Sequence, residues 1–77
     1  MIKEHDRVVL TSDLAKERLK AGDVGTVVHI HSGGAAFEIE FLTLDGRTVA
    51  IATVIDSQIR AVTRRDITHA RPLEISV

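Results

Sequence analysis

The chain has 77 residues, the size of one small domain, and its ten Lys and Arg residues nearly balance eleven Asp and Glu residues. The near-neutral charge disfavours a dedicated nucleic-acid-binding protein. Two Phe residues, without Trp or Tyr, disfavour sites that stack bases or bind proline-rich peptides. The absence of cysteine excludes disulfides and thiolate metal sites, and no apolar run approaches the length that spans a bilayer. We therefore expect one soluble, cytoplasmic domain with an aliphatic core and no membrane partner.

The N-terminal third predicts one strand followed by a long loop. The segment from His5 to Thr11 is typical of a strand, with Val8 and Leu10 on one face and Arg7, Val9 and Thr11 on the other. Residues 12–21 favour helix, but the spacing of their leucines does not sustain an apolar face. We predict a long first loop with at most one or two helical turns, capped by Ser12 or Asp13.

A glycine-rich turn then leads into the second predicted strand. Gly22 and Gly25 tolerate left-handed backbone or a close approach, and Asp23 is expected to bond its own backbone two residues further on. The β-branched run that begins at Thr26 favours a pleated surface. This turn-to-strand pattern is typical of the entry to the second strand of a small SH3-like barrel.

The pair Gly33–Gly34 predicts a two-residue hairpin turn, because a type I′ turn needs positive φ at both central positions. That turn sets Ile30 opposite Phe37 and His29 opposite Glu38. It also sets Val28 opposite Ile39, Thr26 opposite Phe41 and Val27 opposite Glu40. The predicted inward face is then Val28, Ile30, Phe37, Ile39 and Phe41.

The next turn allows two registers for the fourth strand, residues 47–54. A two-residue loop would bury Ala50 and Ala52, whereas a three-residue loop with Gly46 in a left-handed bulge would bury Val49 and Ile51. Burying a Val or Ile is worth about 1.5–3 kcal/mol more than exposing it, so the bulged loop is predicted.

The remaining residues predict a short fifth strand and a tail. Residues 55–57 fit one 3₁₀ turn, residues 58–62 fit a strand with Ile59 inward, and Pro72 argues against regular structure beyond it. The predicted fold is all-β: a small five-stranded, SH3-like, partly open barrel over residues 1–62. Residues 63–77 form a tail that either packs on the barrel or becomes ordered on a partner.

Four segments in order carry a family resemblance: Asp6–Leu10, Leu19–Val28, Phe37–Phe41 and Leu44–Gly46. The combination resembles a bacterial family of small stand-alone proteins described as domain-of-unknown-function family 4926, over residues 5 to about 62. The resemblance implies a small SH3-like barrel and no assigned chemistry. The middle stretch also resembles the KOW motif of ribosomal and transcription-elongation barrels, but it lacks their basic residues and surface aromatics.

Two histidines and two glutamates form a candidate metal site. His29 and His31 lie two residues apart on the predicted outer face, with Glu38 and Glu40 on the neighbouring strand, and these are ligand types that zinc accepts. The predicted register places His31 opposite Ala36, however, so a cross-strand His29–Glu38 pair is the favoured interpretation. We expect no metal ion and no cofactor.

The C-terminal end holds the one charge asymmetry of the chain. Five basic side chains are candidates for binding a partner: Arg60, Arg64, Arg65, His69 and Arg71. The competing interpretation is a solvated tail in which Arg64 or Arg65 pairs with Asp66. No nucleophile has a plausible base beside it, and Ser12, Ser32 and Ser57 lie in turn or cap positions, where serine satisfies backbone groups. We expect no enzymatic activity.

Three functions follow in order of preference. The first is a non-enzymatic protein-interaction module, such as the antitoxin-like or immunity-like small partner of a bacterial toxin or effector. The alternative is a KOW-like RNA-binding or DNA-binding barrel that uses the basic C-terminal end. The third is a homo-oligomer that forms through a strand edge or through the outer residues Val9, Val27 and Leu42.

Overall fold

Five antiparallel strands form one sheet in a computed structural model that describes residues 1–73 of the chain. The strands are β1 (Arg7–Leu10), β2 (Val24–His31), β3 (Ala36–Leu42), β4 (Thr48–Val54) and β5 (Ile59–Ala61). The sheet order is β4-β3-β2-β1-β5, and its two outer strands do not pair with each other within the described residues. The predicted all-β fold of a small, partly open barrel is confirmed. In residues 1–73, no helix combines the length and apolar character needed to cross a membrane.

The core is aliphatic and lies on one face of this sheet. Val8, Leu10, Val27, Ile39 and Val54 have the largest fully buried side chains. Other members of the core are Leu19, Phe37, Phe41, Ala52 and Ile59. The inward position of Ile59 therefore agrees with the prediction.

The first loop contains less helix than its composition favours. A single 3₁₀ turn spans Ala15–Glu17, and no side chain caps its N-terminal end. The predicted capping role of Ser12 or Asp13 is therefore wrong. Asp13 instead accepts a hydrogen bond from the backbone N–H of Ala21 at 2.8 Å. Leu19 is buried and anchors the loop on the core, so tertiary packing overrides the helix propensity of the loop.

A β-bulge in β2 changes the predicted inward face. The preceding hairpin loop spans four residues, 32–35, rather than the predicted two-residue turn, since the carbonyl of His31 accepts from the N–H groups of Gly34 and Ala35, both at 3.0 Å. The predicted pairs Ile30–Phe37 and His29–Glu38 are nevertheless present, but the register shifts between Val27 and His29. Because a bulge inserts one extra residue, the side chains before it move to the opposite face.

The bulge changes the β2 partners of two β3 residues, Ile39 and Glu40. Ile39 lies opposite Val27 rather than Val28, and Glu40 lies opposite Thr26. Val27 is fully buried and Val28 is 40% exposed, which reverses the prediction. The hairpin turn determines the register only as far as the first bulge, and the turn residues cannot reveal that bulge.

The bulge gives a direct comparison of two neighbouring valines. We expect Val27→Ala to lower the free energy of unfolding by about 2 kcal/mol, since it removes buried methyl groups and leaves a cavity. Val28→Ala, with its side chain on the exposed face, should cost less than about 0.5 kcal/mol. Urea denaturation of both variants checks this order, and equal losses would contradict the assigned faces.

The hairpin between β3 and β4 has the predicted three-residue loop. Gly46 has a left-handed φ of 88°, and the N–H of Thr43 donates to the carbonyl of Arg47 at 2.8 Å. A second register shift follows immediately, between Phe41 and Leu42. This shift moves the register back by one residue, so residues 50–54 of β4 pair as a two-residue loop would have placed them.

The alanines of β4 therefore face the core, contrary to the prediction. Phe41 lies opposite Ala50 and Ile39 opposite Ala52, while Ile51 is 56% exposed. Two large β3 side chains leave little volume beside them, and small residues fill that volume at native density. The predicted burial of Ile51 is therefore wrong, because the space beside these side chains admits only a small residue.

Two of the three outer residues predicted for self-association lie inside the protein. Val9 is 7% exposed and Val27 is fully buried, so neither can form an outer apolar surface. Leu42 is 47% exposed and lies at the end of β3 beside the β4 edge.

Candidate functional site

Three of the five basic candidates lie in two clusters, each organised by a carboxylate, and the other two, Arg64 and Arg65, are exposed. Arg60 lies in β5 and bonds Asp66, whereas His69 and Arg71 bond Asp23 at the start of β2. All of these contacts join the segment after β5 to itself or to the barrel. The structure thus brings together only two of the five predicted candidates, His69 and Arg71.

Asp66 organises the first cluster. Both of its carboxylate oxygens accept from the guanidinium of Arg60, at 2.8 and 3.1 Å, and one accepts from the backbone N–H of Thr63 at 2.7 Å. The hydrogen bond from Arg60, reinforced by the bonds from Thr63, holds the pKa of the Asp66 carboxyl well below its usual range. The predicted pairing of Asp66 with Arg64 or Arg65 is wrong, because the neighbouring strand supplies the nearer arginine.

The Thr63–Asp66 turn presents Arg64 and Arg65 to solvent. The N–H of Asp66 donates to the carbonyl of Thr63 at 3.2 Å, which closes the turn. Both arginines are exposed, and no ion pair to their guanidinium groups is found within residues 1–73. These two are the basic candidates that face outward.

Asp23 organises the second cluster and is the main polar group inside the protein. It is 9% exposed, and its carboxylate accepts from Nε of Arg71 at 2.8 Å and from Nη2 at 2.6 Å. The backbone N–H of Lys20 donates to the same carboxylate at 2.8 Å, and Nε2 of His69 lies 3.2 Å from it. This bidentate arrangement matches the planar fork of a guanidinium to the two carboxylate oxygens.

The electrostatics of Asp23 follow from these contacts. Burial raises the pKa of the carboxyl. The hydrogen bonds from Arg71 and Lys20, together with the charge of Arg71, lower the pKa by more than burial raises it. The net result is a pKa below the ordinary value, so the group is ionised at neutral pH. A buried carboxylate of this kind requires the cation that lies on it.

Gly22 leaves space for the His69 ring. A Cβ on Gly22 would lie 3.0 Å from Cε1 of that ring, and Gly22 also has a φ of 97° that disfavours other residues. The predicted bond from Asp23 to its own backbone two residues further on is wrong. The structure instead has the bond from Lys20 and the distant partners His69 and Arg71. The available signal was an acidic residue at the entry to an apolar strand, combined with excess cations in the tail.

The candidate metal ligands form pairs rather than a cluster. Nε2 of His31 lies 2.7 Å from Oε2 of Glu38, whereas Nδ1 of His29 lies 3.9 Å from Glu4. The hydrogen bond from His31 lowers the pKa of the Glu38 carboxyl. The predicted His29–Glu38 contact is therefore replaced by a diagonal contact. In residues 1–73 no group of three His, Cys, Asp or Glu side chains could hold a metal ion.

A second candidate surface is the edge of the sheet along β4, which no other strand among residues 1–73 covers. Outward-facing Ile51 and Thr53 alternate with the inward alanines, and Ile55 follows immediately after the strand. Ile51 is 56% and Ile55 is 53% exposed. The surface therefore combines unpaired backbone with exposed aliphatic side chains.

Comparisons with known proteins give one family. The model of a family described as a domain of unknown function (DUF4926) matches residues 4–61, which is more than half of the chain. No curated protein and no solved structure matches. The matched region contains all five strands and Asp23, but it ends before His69 and Arg71. The chain thus belongs to the DUF4926 family.

Proposed function

We propose that this chain is a non-enzymatic protein-interaction module that binds an extended segment of a partner protein along β4. The observation that carries the proposal is the edge itself, since β4 is seven residues long and, within residues 1–73, pairs only with β3. An unpaired strand edge offers a row of N–H and C=O groups, and added strands use them for affinity.

The composition of β4 supports this use. Natural edge strands are usually protected by lysine, proline or other devices that prevent pairing. The β4 sequence, Thr-Val-Ala-Ile-Ala-Thr-Val, contains no charged residue and no proline. Because outward side chains alternate with period two, Ile51 and Ile55 would contact alternate residues of an added strand.

The module would act as the small partner of a larger protein, such as a bacterial toxin or effector. Three ion pairs engage ionisable side chains of the fold: Asp23 with Arg71, Asp66 with Arg60 and Glu38 with His31. Because these side chains already bind one another, they favour a binding role over a catalytic one. The same ion pairs disfavour the nucleic-acid alternative, since two of the five basic candidates are already neutralised. Affinity for nucleic acid comes mainly from cations that can contact phosphates.

Affinity capture tests the proposal. The tagged chain is incubated with lysate of the organism that encodes it, and half of each sample is treated with nuclease. We expect a stoichiometric protein that survives nuclease and that Ile51→Lys reduces at least about tenfold, because a charge then faces the added strand.

The matched control is Ile67→Lys, which makes the same chemical change on a side chain that is 92% exposed and distant in sequence from β4. This control variant should capture the partner as the wild type does. Material lost on nuclease treatment would favour the nucleic-acid alternative, and equal capture by both variants would contradict use of the β4 edge. Light scattering of the purified chain shows whether the partner is a second copy.

A further inference from the structure

The Asp23 site has the geometry of a receptor for one arginine side chain. Within the described part of the chain, three acceptor atoms bond the guanidinium of Arg71: the two carboxylate oxygens of Asp23, at 2.8 and 2.6 Å, and the carbonyl oxygen of Arg18 at 3.3 Å. The barrel and its first loop supply all three. A lysine, which has a single ammonium group, could not match the fork.

The segment that brings Arg71 to this site has few other attachments. Residues 62–70 are all exposed, and Ile67 in their midst is 92% exposed. No backbone hydrogen bond joins residues 67–73 to the barrel in the described part of the chain. The side chains of His69 and Arg71 therefore carry much of the attachment, so the segment can leave without disrupting a strand.

The family match separates the receptor from its occupant. It covers residues 4–61 and so includes Arg18, Lys20 and Asp23. His69 and Arg71 lie outside it. The acceptors belong to the family domain, whereas the arginine comes from the segment that follows the domain.

We propose that the Asp23 site is an exchangeable arginine receptor, in which an arginine from an extended segment of a partner protein replaces Arg71. The partner segment also places a planar side chain two residues before its arginine, as His69 precedes Arg71. The space above Gly22 accommodates that ring. This second contact favours a peptide over free arginine as the ligand.

The chain's own segment then acts as a competitor of the partner. A tethered arginine has a high effective concentration at its site, so a partner must bind more tightly or remain close. The apparent affinity of the partner is reduced by the fraction of molecules in which the site is closed. The C-terminal segment thereby sets a threshold for binding.

Peptide titration of the full chain tests the receptor. The probe is a blocked peptide with the sequence of residues 67–73, Ile-Thr-His-Ala-Arg-Pro-Leu, added to isotope-labelled Arg71→Ala protein. We expect saturable NMR shifts at the amides of Lys20 and Asp23. A peptide with lysine in place of the arginine should bind at least about tenfold more weakly, because it loses the bidentate contact. Free arginine should also bind more weakly than the peptide.

Two further proteins make the result specific. The wild-type chain should bind the peptide more weakly than Arg71→Ala, and the double variant Asp23→Asn/Arg71→Ala should not bind it. Equal affinity for wild type and Arg71→Ala, or for the arginine and lysine peptides, would overturn the proposal. If Arg71→Ala does not fold, titration of the wild type decides the matter. The peptide should then shift the amides of His69 and Arg71 as it displaces them, and no shift would count against the receptor.

The receptor and the β4 edge can fail independently. The Asp23 site lies at the start of β2, with the whole of β3 between it and β4 in the sheet order. Ile51→Lys should therefore leave peptide binding within about twofold of the parent protein. Loss of both together would indicate general unfolding, which the NMR spectrum reports directly.

Discussion

Replacing Gly25 with alanine should lower the free energy of unfolding by about 2 kcal/mol, although alanine is usually the better strand residue. An added Cβ would lie 2.5 Å from Cγ2 of Ile39, 2.9 Å from the carbonyl oxygen of Glu40 and 2.9 Å from Cε1 of Phe41. Each distance is shorter than real Cβ contacts allow. Because one neighbour is backbone and two belong to the core, no flexible side-chain end can move aside.

Two opposing effects decide the size of this loss. Removing a glycine from a strand gains about 0.5–1 kcal/mol, because the unfolded chain becomes less flexible. Overpacking a filled core costs about 1–3 kcal/mol and more where backbone must shift. The steric cost dominates here. A domain of this size has a total stability of only about 4–12 kcal/mol, so the loss should be plain in urea denaturation.

Gly33→Ala is the matched control for this experiment. Gly33 has a φ of 66° and no atom within 4 Å of an added Cβ, so only the left-handed backbone opposes alanine there. That strain costs about 1 kcal/mol. A Gly25→Ala protein at least as stable as Gly33→Ala would show that β2 and β3 can separate at this point.

The close approach of Gly25 to β3 is an example of a contact between distant residues, and such contacts limit how much of the fold could be predicted from sequence. Local chemistry was sufficient for the register of the first hairpin, where Ile30 lies opposite Phe37, although the predicted two-residue turn is a four-residue loop. Local chemistry was insufficient at Val28, because the bulge there depends on how β2 pairs with β3. Near the bulge, Gly25 lies so close to residues 39–41 that no Cβ fits, and this contact is not visible in the sequence.

The candidate site shows the same division between local and distant interactions. The basic residues of the tail were recognised one by one from their charge. Their partners were not, because Asp23 and Arg71 lie 48 positions apart and no periodic pattern connects them. A rule that buried carboxylates require a cation would have linked the two, but burial of Asp23 becomes visible only once the strands are placed.

The Asp23→Asn variant isolates the charge of the buried carboxylate while preserving its shape. An amide has one acceptor oxygen, and its NH₂ group would face a donor of the Arg71 guanidinium in either orientation, and in one of them also the N–H of Lys20. We expect a loss of about 2 kcal/mol at neutral pH, since hydrogen bonds to charged groups are worth about 1.5–3 kcal/mol. Hydrogen exchange should accelerate in residues 66–73, while the core strands retain most of their protection.

The pH dependence of this loss identifies its cause. The folded-state pKa of Asp23 lies below the ordinary value of 3.8, so its contribution is complete above that value and disappears as the pH falls through the folded-state pKa. The stability difference between wild type and Asp23→Asn should therefore be largest at neutral pH and shrink in acid. Arg71→Ala should remove most of the same pH-dependent difference, because Arg71 supplies the charge that lowers the pKa. Urea denaturation of the three proteins across the acidic range measures this. A difference that stays constant with pH would mean that Asp23 stabilises the fold by shape rather than by its ion pair.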